Sequence, residues 1–380
     1  MRNGKSCRII GLSIGLYTLS LSTAGAQTKF IQAVDEYVPA PGQFVNLMPL
    51  YVEGDTPETM ARKCTDSIGG GPSRPDLPTG KTCAVMLGAY GGYITFHFDH
   101  PIANIAGQRD FAVWGNAFPN NAEPAIVMVS QDTNGNGLPD DTFYELRGSE
   151  YDNPLTLHNY SVTYTYQPMG DTPWTDSQGA TGAVARNDYH KQEYFPLWLA
   201  DQGKLTFSGA LLPKNANFRN GQFLLPAYDY GYADNQPNLI DYEYPNTEGC
   251  GLDIGWAVDA GGQPVTLDHI DFVRVYNAMN QTCGWIGETS TEITGAEDLH
   301  LDASLNWAEE ERLRQEEEER KRQEEEERKR QEEEEAASIR QLVTDGTAHS
   351  VNACHDLRGQ TTSWPVNGIY ISHGKKVFIK

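Results

Sequence analysis

Through most of this chain, apolar and polar side chains alternate in short runs. A period of two suits strands with one buried face and is incompatible with an amphipathic helix. Tyr93, Thr95 and His97 alternate with Ile94, Phe96 and Phe98, and Asn159 to Tyr166 alternates in the same way. Asp110 to Gly115, Ala125 to Ser130, Lys204 to Phe207, Leu252 to Val258 and His269 to Tyr276 read as further strands. Turn-forming Gly, Pro, Asn and Asp separate them, and few helical windows occur before residue 307. The pattern predicts a mostly β fold, an antiparallel, jelly-roll-like β-sandwich with long loops. Phe44 to Val52 is one more candidate strand. Thr56 to Ala61 can begin a short helix, with Thr56 as N-cap before Pro57 and Glu58.

One loop carries metal-ligand chemistry. Asp132, Asn134 and Asn136 place oxygen-bearing side chains at alternate positions, Gly137 allows a sharp turn, and Asp140 and Asp141 close the segment. A hard cation such as Ca²⁺ takes about six to eight oxygens, and short Asp and Asn side chains before a tight turn supply several. The order matches the first half of an EF-hand loop and then departs from it. Phe143 stands where a bidentate Glu belongs, and both flanks are strand-like. A structural Ca²⁺ loop between two strands is the expectation. A solvated turn held by its Asn-Gly pairs and Pro139 is the other structure such a sequence can form.

The termini and charge set the compartment. Arg2, Lys5 and Arg8 precede an apolar run from Ile9 to Leu21, and Ala24-Gly-Ala26 follows. This is the form of a secretory signal peptide over residues 1–26, so the mature chain is expected outside the cytoplasm, with no transmembrane segment. The formal charge of −23 is spread along the body of the chain. Nucleic acid and anionic membranes require Lys- and Arg-rich surfaces and are excluded as partners. Export permits disulfides. Cys64 with Cys83 and Cys250 with Cys283 are the expected pairs, each flanking one continuous segment, with Cys354 left over. No cysteine or histidine spacing matches a zinc site.

Tyr228, Tyr230, Tyr232, Tyr242 and Tyr244 lie in loop-like sequence with Asp234, Asn235 and Asn238. Aromatic faces beside carboxylates and amides suit a glycan or another flat polar ligand, and Trp174 can extend such a surface. Trp198 and Trp256 fit a core equally well. No catalytic constellation stands out. The acids are too numerous to pair by sequence, and no glycine loop leads from a strand into a helix to cradle phosphate. A ligand-binding surface module is therefore the first expectation. An enzyme acting on polysaccharide with structural Ca²⁺, or a purely structural or adhesive protein, are the alternatives.

Several of these stretches together resemble a family of exported cell-surface proteins of Bacteroidetes. They include Pro39 to Asn46, Gly88 to Ile94, Phe98-Asp-His-Pro101, Gly115-Asn-Ala117, Glu123 to Val129, the acidic loop and Gly148-Ser-Glu-Tyr151. Asp253 to Asp259, Ile270 to Tyr276 and Gly287-Glu-Thr-Ser-Thr-Glu292 continue the likeness, which spans about residues 30–301. The resemblance implies surface location and a β-rich fold. By analogy it suggests outer-surface capture of glycans or of a cofactor such as a corrinoid, working with an outer-membrane uptake system.

The C-terminal part changes character. Across 308–340 the unit Arg-Gln-Glu-Glu-Glu-Glu-Arg-Lys repeats, placing Glu316, Glu317, Glu318, Glu324, Glu325 and Glu326 four residues before Arg or Lys. Such pairs contribute about 0.2–0.5 kcal/mol each. With no apolar seam, a single charged helix acting as spacer is expected rather than a coiled coil; a disordered charged linker is the alternative. Residues 341–380 read as a small β tail. Asp356-Leu-Arg-Gly359, Gly368-Ile-Tyr-Ile371 and Gly374-Lys-Lys-Val377 resemble the C-terminal sorting domain of the type IX secretion system, although Gln360 stands where that family usually has Arg. This implies passage through that secretion system. The resulting organisation is a signal peptide (1–26), a β-sandwich (27–307), a helical spacer (308–340) and the β tail (341–380).

Overall fold

A computed structural model of the chain describes residues 27–70, 84–240 and 245–345, with tail strands at Cys354–Asp356, Thr361–Thr362, Gly368–Ser372 and Lys375–Ile379. The signal-peptide segment, Cys83, Tyr242 and Tyr244 lie outside the described residues. The described chain is mostly strand, in several antiparallel sheets, with a C-terminal helix.

The largest sheet has seven strands. Ala33–Val38, Tyr93–Ala103, His269–Asn277, Ala125–Ser130, Tyr144–Leu146 and Ala257–Val258 lie side by side, and Tyr232–Ala233 also pairs with Ala125–Ser130. Its register puts Phe96 opposite Val273 and Val273 opposite Val129. These residues and Ile94, Val127 and Val275 build one buried face. Above that face sit Phe111 and Val113 from a three-stranded sheet (Gly251–Leu252, Phe111–Trp114, Gly295–Asp298) and the helix Pro57–Ile68.

That helix runs seven residues further than its N-terminal signal alone implied. Thr56 caps it as expected, in a reciprocal hydrogen-bonded box with Thr59. Met60, Ala61, Cys64 and Ile68 then bury at helical spacing in the main core. A second core lies along a four-stranded sheet (Lys204–Leu211, Leu157–Thr165, Thr172–Asp176, Thr181–Val184), where Tyr164, Val162 and Phe207 meet Tyr90, Tyr194 and Phe195.

Three strand expectations need correction. Phe44 to Val52 forms turns, in which the Met48 amide donates back to Phe44 O at 2.8 Å. Pro49 within it cannot donate to a ladder. Leu252 to Val258 is interrupted because the Asp253 side chain accepts the Gly255 amide at 2.7 Å and starts a 3₁₀ turn. Thr95 does not face water. It is buried on the outer face, accepting from Arg274 Nε at 2.9 Å and donating to Glu36 at 2.8 Å.

The chain divides into two compact units at Glu309/Glu310. The C-terminal helix, Leu301–Asp345, begins earlier than the charged repeat. In the first unit, Ser304 Oγ accepts the Ala103 amide at 3.1 Å, and Trp307 stacks on His269 at 4.1 Å. In the second unit the helix carries the repeat. Of the six expected pairs only the lysine ones form, Glu317–Lys321 and Glu325–Lys329, each at 2.8 Å. Arg320 and Arg328 reach forward instead, to Glu324 and Glu332. All these side chains are well exposed, so geometry alone selects among pairs of little energy. The tail strands make a four-stranded antiparallel sheet in the order Thr361–Thr362, Cys354–Asp356, Gly368–Ser372, Lys375–Ile379. No helix among the described residues is long and apolar enough to cross a membrane.

Candidate binding site

The acidic loop is held by hydrogen bonds among its own residues, and Asp132, Asp140 and Asp141 are not among the carboxylates that lie within 4.8 Å of one another. Asp132 accepts the amides of Asn136 at 3.1 Å and Gly137 at 2.8 Å, and Asn134 Oδ1 accepts the Asn136 amide at 3.0 Å. Asp140 receives the side-chain amides of Asn134 (3.1 Å) and Asn136 (3.0 Å), and Asp141 is hydrogen-bonded to Thr133. Gly135 and Gly137 adopt positive φ, as so tight a turn requires. Asn134, Asn136 and Asp140 are exposed. The side-chain oxygens available are of the kind a hard cation takes, but here they accept the loop's own N–H groups. Asn134 and Asn136 turn their NH₂ groups, not their carbonyls, toward Asp140.

A second acidic group was not expected. Glu123, Asp234 and Glu292 offer carboxylate oxygens that all lie within 4.8 Å of one another, the one such group of three among the described residues. Glu288 stands nearby, its carboxylate accepting Gln43 N at 2.5 Å and Gln43 Nε2 at 3.0 Å. Asp234 is fully engaged with backbone, accepting the amides of Asn116 (2.8 Å), Ala117 (2.9 Å) and Glu292 (2.9 Å). Its approach requires a glycine at 115, because a Cβ there would lie 2.2 Å from Asp234 Oδ1. Glu123, Glu288 and Glu292 line a cavity of about 280 Å³ with Asn116 and Ser290.

No lysine or arginine among the described residues pairs with these four acids. Burial, with the Asp234 and Glu288 charges adding to it, pushes Glu123 up to about 8; burial, partly offset by the backbone amides that Asp234 accepts, pushes Asp234 to about 7, and burial pushes Glu288 to about 7. Glu292 is held well above the carboxylate range by burial and by the Glu123 and Asp234 charges. Its carboxyl faces those of Glu123 and Asp234, with oxygens within 4.8 Å. Sequence reading placed Asp234 among the tyrosines and passed over the other three. The available signal was the i, i+2, i+4 spacing of Glu288, Ser290 and Glu292, which puts three polar groups on one side of an extended segment.

A third feature is a cavity of about 630 Å³ beside the strand Phe111–Trp114, lined among others by Gln108, Arg109, Thr247, Glu248, Glu297 and His300. The Arg109 guanidinium lies 4.1 Å over the Trp256 ring, and that ring meets Tyr230 at 5.1 Å.

The aromatic surface is only partly realised. Tyr232 is buried and its hydroxyl accepts the Glu150 amide at 2.9 Å. Tyr228 is half-buried and donates to Pro213 O. Asn235 and Asn238 brace the same loop through Tyr228 and Gly115. Trp174 packs on Gly182 along the second core. Tyr230 remains exposed, on Trp256. Trp198 and Trp256 both pack against the main core. These tyrosines mostly pin loops, a use their hydroxyls allow because each end finds a partner.

The expected Cys250–Cys283 bridge is not formed. Both are buried free thiols, and Cys250 Sγ points to Gln236 O (3.3 Å) and Pro237 O (3.5 Å). Cys64 is likewise a free thiol, inside the helix Pro57–Ile68. No protein-family model and no curated protein matches this chain.

Proposed function

We propose that this protein is an exported cell-surface binding module, a jelly-roll-like sandwich stabilised by Ca²⁺, that captures an extracellular ligand such as a glycan or a corrinoid-like cofactor. The observation that carries this reading is the cavity of about 630 Å³, which opens beside an arginine already held on an aromatic face. Small-molecule sites typically occupy about 300–1,000 Å³ and combine a few convergent polar groups with an apolar backing. Asp132, Asn134, Asn136, Asp140 and Asp141 would hold the Ca²⁺, which would tie the loop to the two strands it joins. The C-terminal tail fits passage through a type IX secretion system, and capture would serve an uptake system of the outer membrane.

One observation favours the enzymatic alternative, the close carboxyl pair of Glu123 and Glu292 at a cavity wall. A glycosidase places its two carboxyls about 5–5.5 Å apart when retaining and further when inverting. This pair lies closer, within 4.8 Å, so binding stays the first reading.

Thermal unfolding of the full chain against neutral glycans, acidic glycans and a corrinoid, with Ca²⁺ or with chelator, tests the proposal. A rise in Tm specific to one ligand supports capture, because only a ligand that prefers the native state stabilises it. No rise with any of them would leave a structural surface protein instead.

A further inference from the structure

Arg109 is built into position with no ion-pair partner among the described residues. Its aliphatic stem crosses Gly251 so closely that a Cβ on residue 251 would lie 2.8 Å from Arg109 Cβ and 2.9 Å from its Cγ. Its guanidinium rests 4.1 Å from the Trp256 ring centre. Backbone below and ring beside it together fix the fork. Nε is buried with no hydrogen-bond partner. No ion pair joins Arg109 to a carboxylate among the described residues. Nε is covered and cannot meet a ligand, but Arg109 lines the cavity with its guanidinium held in one orientation, so the outer edge of the fork is what the cavity offers a ligand.

The rest of the wall narrows the ligand's chemistry. Glu297 is already paired with Lys29. Glu248 and Thr247 are exposed, and Gln108 and His300 complete a rim of hydrogen-bonding groups. The buried Asp253 carboxylate lies close enough to feel the Arg109 charge while accepting the Gly255 amide. One guanidinium among several acids suits a single negative charge and disfavours a dianion such as phosphate, which like charges would repel. A planar guanidinium fork matches a planar carboxylate in a bidentate pair. The surrounding carboxylate, amide and hydroxyl groups match sugar hydroxyls.

We propose that Arg109 recognises a carboxylate and that the ligand of this cavity is an acidic sugar, a monosaccharide-sized unit of the uronic-acid kind. This rests on the ligand-capture reading and names the class of ligand.

The test is calorimetric titration of the full chain with D-glucuronate, D-glucose and inorganic phosphate, in wild type and in Arg109→Lys. The lysine variant keeps the charge and the long stem, and its thermal unfolding reports whether it folds. Glucuronate should bind, glucose should bind at least about tenfold more weakly, and Arg109→Lys should lose about tenfold for glucuronate alone, because a point charge cannot replace a bidentate fork. Equal binding of glucose and glucuronate, unchanged in Arg109→Lys, would overturn acid recognition and leave capture standing. Phosphate binding more tightly than glucuronate would overturn the sugar-acid assignment. If neither sugar binds while a neutral glycan raises Tm, only this inference fails; if no ligand in the wider panel raises Tm, capture fails with it.

Discussion

The exposed loop Asp132 to Asp141 and the buried group of Glu123, Asp234, Glu288 and Glu292 use the same functional group in opposite surroundings. In the loop, water solvates the charges, and the carboxylates cap local amides within the same few residues. In the second group three of the acids are buried and Glu123 is half-buried at a cavity wall, no basic side chain among the described residues pairs with them, and burial raises their pKa values. Carboxylates in water can wait for a cation at little cost. Buried ones must neutralise themselves, by protonation or by a ligand. A cation taken up at the buried group would have to compete with protons there.

The largest effect that would break this comparison is steric. Gly115→Ala places a methyl group against Asp234, whose Oδ1 is 2.2 Å and whose Cα is 2.7 Å from the new atom. Backbone must move, at a cost of about 2–4 kcal/mol in urea unfolding. An unchanged unfolding midpoint would show that the buried group is not rigidly placed.

The next is the pH response. The folded-state values of Glu123, Asp234, Glu288 and Glu292 are raised, so between the unfolded carboxylate range and about 8 the native state holds more protons than the unfolded one. Stability in chelator should be full below about pH 4 and fall as pH rises toward about 8, by about a few kcal/mol in all. Glu292→Gln supplies a donor to Glu123 without a titrating proton. It should flatten that slope. A slope that Glu292→Gln does not change would remove the buried group as its source.

A smaller effect separates the two regions by cation. Asp132→Ala combined with Asp140→Ala should lower Tm in Ca²⁺ by several degrees, about 1–2 kcal/mol, and abolish the response to chelator. If chelation leaves the wild type unmoved, the loop is a solvated turn. Smallest is the charged repeat, where molar salt should weaken Glu317–Lys321 and Glu325–Lys329 by only about 0.2–0.5 kcal/mol per pair, read as a slight fall in helix signal on circular dichroism.

Legibility followed range. Thr56 capping a helix, the strands at Tyr93 to Phe98 and His269 to Tyr276, and the loop around Gly137 all rest on neighbours a few residues apart. The extent of the helix Pro57–Ile68 was hidden, because Cys64 and Ile68 become informative only once a sheet is there to bury them. Tyr228 and Tyr232 read as ligand platforms, since a sequence does not reveal that Pro213 O and the Glu150 amide will take up their hydroxyls. The unbridged thiols of Cys250 and Cys283 follow the same logic. Closeness along the chain did not say where Cys250 Sγ would point.

By itself the sequence determined the period of two, and with it the β class, because alternation is a property of the local backbone. It determined the charged helix and the oxygen-rich loop on the same grounds. Only the tertiary structure decided that Glu123 would meet Glu292 and that Arg109 would lie on Trp256. Those residues stand more than a hundred positions apart, and the strand pairings next to them, fixed by which faces are buried, are what bring them together.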